Sequence, residues 1–249
     1  MPLIGISILV QILCAVHCVR NSRNSMWLMV IIFLSIPGCL AYAVFEVLPA
    51  YSGSRRVRIA KAAAIKKLDP ERDVRMAREA VELADTAANR AALADALLAA
   101  GSGKEAAENY RFALAKMPTA DRVTQFKLAR AELEAGNARA ARKILDELPL
   151  SGSPSENDRA RLLLARALQE LGEQDRALEL YADVGARLPG GEAQCRRAAI
   201  LLENGREEEA EQDLVEVERL MKRLDRLERN EHRDMYDWAA RTLAELRAR

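Results

Sequence analysis

Hydrophobic and polar positions are laid out in two different ways along this chain, with the change near residue 54. Residues 2–19 (PLIGISILVQILCAVHCV) form an apolar run broken only by Gln11 and His17. A second run occupies residues 26–51 (MWLMVIIFLSIPGCLAYAVFEVLPAY), and the polar turn RNSRNS (20–25) separates the two. A helix crosses a bilayer with about 20 apolar residues and needs at least about 17. The pattern therefore predicts a two-helix transmembrane hairpin over residues 1–52, with spans at about 3–19 and 27–48. The first run has no basic start and no small-x-small cleavage site, so it reads as a span and not as a signal peptide. Trp27, Tyr42 and Tyr51 suit interfacial positions. Glu46 lies near the end of its run, about one turn from Pro49, within reach of headgroups. Pro37-Gly38, in mid-run, predicts a kink.

Beyond residue 68 the apolar positions recur with a long period. Four segments align, beginning at Leu93, Leu128, Leu164 and Arg197. Each has Ala at its second position (Ala94, Ala129, Ala165, Ala198) and a central glycine (Gly101, Gly136, Gly172, Gly205). Five residues after each glycine stands an alanine (Ala106, Ala141, Ala177, Ala210), and four further on a large apolar residue (Tyr110, Leu145, Tyr181, Leu214). A glycine can take the left-handed conformation that ends a first helix. The alanines let two antiparallel helices approach closely, and the large residue fills the space toward the next unit. Pro118 and Pro189 fall where the second helix should end, because proline cannot continue a helix.

This pattern resembles the tetratricopeptide repeat (TPR), a helix–turn–helix unit of about 34 residues. Leu93, Ala94, Gly101, Ala106, Tyr110, Ala113 and Pro118 carry the likeness, as do Leu164, Ala165, Gly172, Ala177, Tyr181 and Pro189. The second unit departs from it at LPLSGSPSEN (148–157), which predicts a shortened second helix and an inserted loop. The fourth has Arg197 where leucine is usual. The resemblance implies a solenoid over 69–220, with repeats at about 87–120, 122–150, 158–190 and 191–220. Ala77, Val81 and Ala84 give residues 69–89 the spacing of a second helix, an N-terminal half-repeat or cap. Residues 215–247 read as long, charged and helical, and 221–249 as the capping helix that a solenoid end needs. In that cap Met235, Trp238, Ala239, Leu243 and Leu246 share one stripe, and Tyr236 and Trp238 are expected to dock onto the last repeat.

A second resemblance concerns the N-terminal apolar region, roughly residues 5–48. Trp27, the apolar residues after it, Pro37, Gly38 and Tyr42 look like the N-terminal membrane hairpin of bacterial cardiolipin synthases, a module that also serves other proteins as an anchor. The phospholipase D type of that enzyme uses paired His-x-Lys-x-x-x-x-Asp motifs. The two histidines of this chain, His17 and His232, are followed by Cys-Val and Arg-Asp. The anchor is implied and the enzyme is not.

Composition sharpens this reading. Half of the residues are apolar but only 4% are aromatic, with alanine and leucine dominant. These are strong helix formers, so the fold class is all-α: a two-helix transmembrane hairpin followed by a TPR-like α-solenoid with a C-terminal capping helix. The net charge of +1 conceals a split. Residues 53–68 form a basic juxtamembrane linker helix with Arg55, Arg56, Arg58, Lys61, Lys66 and Lys67 and no acid, whereas residues 68–249 hold 30 basic and 36 acidic side chains. An acidic body argues against nucleic acid as the partner, since phosphate binding needs a basic face. The six linker cations suit anionic headgroups at about 1 kcal/mol each. They also outnumber Arg20 and Arg23 of the turn, which places both termini in the cytoplasm of a bacterial inner membrane.

Candidate chemistry is sparse. Cys14, His17 and Cys18 share one helical face at i, i+3, i+4, but haem attachment uses Cys-x-x-Cys-His, and a structural zinc site wants a fourth ligand. No cofactor or metal is expected. The four cysteines read as small buried hydrophobes. There is no Gly-rich phosphate loop and no Ser/His/Asp arrangement, so the chain is expected to be non-catalytic. The reading that follows is a membrane-anchored adaptor or scaffold that binds a protein or peptide. The TPR resemblance implies a concave face lined by the first helix of each pair. By repeat position its residues are Asp95, Phe126, Arg130, Leu133, Arg159, Leu162, Arg166 and Gln169. The central arginines suit an acidic peptide or chain terminus, unless Arg130 and Arg166 pair with nearby glutamates. Two alternatives are a lipid-associated accessory protein of cardiolipin or phospholipid metabolism and a homo-oligomeric scaffold whose hairpins pack through Gly38 and Ala41.

Overall fold

The computed structural model describes residues 2–20, 26–47, 69–117, 121–149, 151–224, 229–230 and 232–248, and every described regular element is helical. The chain divides into two compact units, Met1–Arg72 and Asp73–Arg249.

The first unit contains α1 (Pro2–Arg20) and α2 (Met26–Tyr42), the latter continued by a π-helical turn at Ala43–Val47. Cys18, Ile31, Cys39 and Tyr42 are buried together, with Cys14, Trp27 and Leu28 against them. The Gln11 side-chain amide donates to the Ile31 carbonyl at 3.1 Å, and His17 Nδ1 lies 2.9 Å from the Tyr42 hydroxyl. The second run bends at the predicted position, and far more sharply than a simple kink. The rings of Trp27 and Tyr42 meet edge-on with centroids 5.6 Å apart, although fifteen residues of straight helix would separate them by about 22 Å. A Cβ on Gly38 would come within 2.2 Å of the Val30 carbonyl oxygen, so α2 folds back on itself. The cause lies at Pro37, inside the helix. Proline has no N–H to donate to the carbonyl four residues earlier, and its ring clashes with that carbonyl. Among the described residues no helix is long and apolar enough by itself to cross a membrane. The basic residues Arg55, Arg56, Arg58, Lys61, Lys66 and Lys67 lie outside the described residues, as does Pro118.

The second unit opens with α3 (Arg72–Leu83). Four helix pairs follow: α4 (Ala87–Ala99) with α5 (Gly103–Lys116), α6 (Arg122–Glu134) with α7 (Ala138–Asp146), α8 (Pro154–Glu170) with α9 (Gln174–Gly185), and α10 (Glu192–Glu203) with α11 (Glu207–Met221). The last helix is α12 (Arg233–Arg247). Among the described residues of 215–247, α11 ends at Met221 with a turn at residues 222–224, and α12 begins at Arg233. Each helix packs mainly on its neighbours in sequence, so the core is a series of local clusters, one after another.

The repeat pattern has a direct physical counterpart. Gly101, Gly136, Gly172 and Gly205 all have φ between 72° and 82°, the left-handed region. After each, the next residue's N–H returns to the carbonyl five residues earlier: Ser102 to Leu97, Asn137 to Glu132, Glu173 to Leu168 and Arg206 to Leu201, at 2.8–2.9 Å. The glycine N–H returns three residues, to Leu98, Leu133, Gln169 and Leu202. This is the Schellman closure, which satisfies the orphan carbonyls of a helix end. All eight pattern alanines are fully buried, and Tyr110, Leu145, Tyr181 and Leu214 fill the space beside them. The starts are capped as well. Thr86 and Asp121 accept from the N–H three residues on, and Ser153 and Glu156 form a reciprocal capping box with Pro154 as the first helical residue.

Two charged residues occupy positions that other repeats fill with apolar ones. Glu132, at the place of Leu97, Leu168 and Leu201, is 1% exposed. It accepts from Arg111 of the preceding repeat and from the Asn137 amide. Arg197, at the leucine position of the fourth repeat, donates from one nitrogen to both oxygens of Asp213, at 2.8 and 3.1 Å. Burial raises the Asp213 carboxyl to about 6, against the lowering effect of Arg197.

A Cβ at Gly172 would meet no atom within 4 Å, so Gly172→Ala tests backbone strain alone. The expected cost is about 1–2 kcal/mol, read from urea unfolding followed by circular dichroism. For Asp213 the folded value lies above the unfolded 3.8, so between about pH 4 and 6 the folded state holds a proton that the unfolded chain has released. Its contribution therefore makes stability fall as pH rises through that window and stay level above it. In Asp213→Asn the fall between those pH values should be shallower than in the parent, as measured by thermal melts across the range.

Candidate functional site: a groove on the first-helix face

The first helices α4, α6, α8 and α10 lie side by side, and α12 follows them. Along this face run two adjoining hollows. One, of about 400 Å³, is bordered chiefly by α4, α6 and the start of α8. The other, of about 910 Å³, is bordered by α6, α8, α10 and α12. Phe126, Arg130 and Arg159 border both, which makes them one groove.

The structure places seven of the eight sequence-nominated residues there. Asp95 lines the first hollow, Phe126, Arg130 and Arg159 the junction, and Leu162, Arg166 and Gln169 the second. Leu133 does not belong with them. It is 3% exposed and packs with Ala129, Ala141, Leu163 and Ala167 between the second and third repeats. Leu133 follows Ala129 by four residues and so shares its core stripe. The groove stripe of α6 is Phe126, Arg130 and Glu134.

Several lining residues were missed by repeat position: Arg122, Lys127, Glu134, Glu156, Glu192 and Arg196. Continuing the α8 stripe into α10, as Glu192, Cys195, Arg196 and Ala199, would have found the last two. The cap contributes more than expected. Tyr236 is buried as predicted, its hydroxyl donating to the Gly190 carbonyl at 2.7 Å. Trp238 and Met235 are only half-buried, pack against the last core cluster and also wall the groove.

Most groove charges are already engaged. Lys127 pairs with Asp95 at 2.8 Å, Arg130 with Glu134 at 3.0 Å and Arg196 with Glu192 at 2.8 Å, while Arg166 reaches the same Glu192 at 3.9 Å. Arg122 donates to the Pro149 carbonyl and the Asn157 side chain at 2.7 and 2.6 Å. Asp95 also accepts from the Tyr110 hydroxyl, which burial and then Asp95 hold protonated well above the usual phenol range. The Ser153 backbone N–H, then its hydroxyl, keeps the Glu156 carboxyl below the ordinary glutamate value. Burial pushes the Cys195 thiol up to about 12, so at neutral pH it is an uncharged wall residue and a poor nucleophile. Arg159 differs from all of these. It is exposed, and among the described residues no carboxylate lies within 4 Å of its guanidinium. Six cations face four acids in this groove, on a body whose own balance is acidic.

Elsewhere, no group of three or more His, Cys, Asp or Glu side chains that could hold a metal occurs among the described residues. All four cysteines are free thiols.

Comparison with known proteins agrees with this architecture. The tetratricopeptide repeat family model matches residues 97–156, from the end of α4 to the start of α8. Among solved structures, the MamA RS-1 ArsTM double mutant superposes with a TM-score of 0.54 at 15% identity, covering 68% of this chain and 94% of that one. A Podosopora anserina protein described as a kinesin light chain with nearly identical TPR-like repeats gives 0.51 at 23% identity, covering 68% and 94%. A second structure of that protein gives 0.50 at 23%, covering 69% and 96%. At these identities the likeness is one of fold: the body is a TPR-like solenoid. No curated protein matches the chain.

The free state of Arg159 can be checked against a cation that the fold does use. Arg187 grips Asp158 with two hydrogen bonds of 2.9 Å and Asp183 with two more, joining the open ends of α8 and α9. Arg187→Ala should lower the thermal midpoint by several degrees, because it strips a 6%-exposed carboxylate of its main partner. Arg159→Gln should leave the midpoint within about 1 °C of the parent, as surface changes away from such contacts do. Differential scanning calorimetry of both variants decides it.

Proposed function

We propose that this chain is a membrane-anchored adaptor: its solenoid presents the first-helix groove to a protein or peptide partner, and its N-terminal unit holds it at the membrane. The observation that carries the reading is the groove itself, with an excess of cations and walls that include Phe126, Leu162 and Trp238, set on an acidic body. Apolar walls with a few placed charges suit a segment that is part hydrophobic and part acidic. A solenoid face built from stacked repeats suits an extended partner. The residues named in the groove are binding residues in this reading, and no step of catalysis is assigned to them.

The anchor rests on the surface of the first unit. Ile12, Leu13, Val16, Val19, Met29, Ile32, Phe33, Leu40 and Phe45 are all more than half exposed, Phe33 by 80%. An apolar surface that continuous is unfavourable in water and suits hydrocarbon. The two helices would enter the bilayer together as a hairpin with a bent second arm, of the kind expected for a bacterial inner membrane with the solenoid in the cytoplasm. The cations 55–67 would meet anionic headgroups there.

One experiment tests both halves. The full chain, carrying a C-terminal affinity tag, is expressed in a bacterial host and its membranes are washed with alkaline carbonate. It should stay in the pellet. After mild detergent extraction, proteins crosslinked to the normal chain are compared with those crosslinked to Arg130→Glu/Arg166→Glu. Partners recovered by the parent and lost by the variant support the adaptor. Equal recovery on both, or recovery of lipid and self-copies only, would overturn the groove reading in favour of a lipid-associated or self-assembling role. Release by carbonate would overturn the anchor.

A further inference from the structure

The groove also indicates what kind of acidic segment it accepts. We infer that the partner segment carries a single carboxylate flanked by large apolar side chains, and that Arg159 holds that carboxylate. This rests on the groove being the docking site, and it goes further by naming the anchor and the ligand's pattern.

A run of acidic residues would need several cations free to receive it, and the groove does not offer them. Lys127, Arg130 and Arg196 are each paired at 2.8–3.0 Å with a carboxylate of the groove itself. Arg122 is spent on the Pro149 carbonyl and Asn157. Recruiting any of these exchanges one exposed ion pair for another, which gains little. It also leaves Asp95, Glu134 or Glu192 facing the incoming acid, so a polyacidic segment is selected against.

Arg159 stands apart both in its freedom and in its place. It sits at the junction of the two hollows, beside Phe126 on α6 and with Leu162 nearly one turn further along its own helix. Both neighbours are half-buried and apolar. A guanidinium receives a carboxylate through two parallel hydrogen bonds. Apolar groups on either side of that acid would cover Phe126 and Leu162 and shield the pair from water.

The test is a peptide-display selection on the detergent-solubilised full chain, using random twelve-residue libraries in two formats, one internal and one ending in a free C-terminus. Selected peptides are remade with a fluorescent label and titrated by anisotropy against the parent, Arg159→Gln and Lys127→Gln. The last two remove the same charge from the same groove. The expected result, in the internal format, is one Asp or Glu with large apolar residues within two positions on both sides. Enrichment of a free C-terminal carboxylate instead would overturn that flanked pattern. Binding should fall at least tenfold in Arg159→Gln and less than threefold in Lys127→Gln, with circular dichroism unchanged in both.

Enrichment of acidic runs that lose equally in the two variants would overturn the single-anchor inference while leaving the groove as the docking site. Selected peptides that bind all three proteins alike, or no selected peptide at all, would overturn the docking reading as well.

Discussion

Helix pairs in this solenoid approach closely because an alanine stands at each contact point, and they can do so in register because a left-handed glycine reverses the chain at a fixed place. The two conditions depend on each other. Without the Schellman closure the first helix would end at a variable residue, and the alanines of its partner would no longer face its own. Without the alanines, side chains would force the backbones apart and the Tyr110 and Tyr181 rings would lose their pockets. Once both hold, the stripes of the first helices that do not pack are left facing outward, and those stripes make the groove. Binding residues are therefore free to differ from repeat to repeat while the frame stays constant.

Charged residues break this frame at a few positions, and each break is matched by a partner. Glu132 replaces a buried leucine but is met by Arg111 from the previous repeat and by Asn137 from its own turn. Arg197 replaces another and is met by Asp213 across the helix pair. Such pairs add little net stability over apolar residues. They do distinguish otherwise similar repeats, since an Arg111 placed against a leucine would lose its acceptor.

In the proposed binding role, the groove's selectivity would follow from the same economy of charge. Five of its six cations answer to acceptors within the protein, so they shape the wall more than they attract a ligand. The uncommitted cation sits between two apolar side chains, and that juxtaposition separates a surface suited to a mixed apolar and acidic segment from one suited to a generally acidic chain. The cap adds Trp238 to the wall because α12 packs on α11 while also touching α10, which brings one edge of that helix around to the first-helix face.

Much of the frame was legible in the sequence because it depends on local rules. A glycine that must be left-handed, an alanine that must be small and a helix former in between act over a few residues, and the chain repeats them four times. The all-helical class, the TPR-like units and seven of the groove positions follow from that repetition. Three things did not follow. Leu133 was placed in the groove by repeat position, although its spacing of four from the buried Ala129 already sets it on the core stripe of α6, where the structure has it. The fold of α2 at Pro37 was legible as a kink but not in its extent, since a proline removes a hydrogen bond and leaves contacts such as Trp27 with Tyr42 to decide how far the helix closes. The commitment of the groove cations was legible only in part: Arg130–Glu134 and Arg196–Glu192 are i,i+4 pairs within one helix, whereas Lys127–Asp95 and Arg166–Glu192 join different helices. Sequence spacing gives their charges, but only the tertiary structure gives the distances that leave Arg159 free.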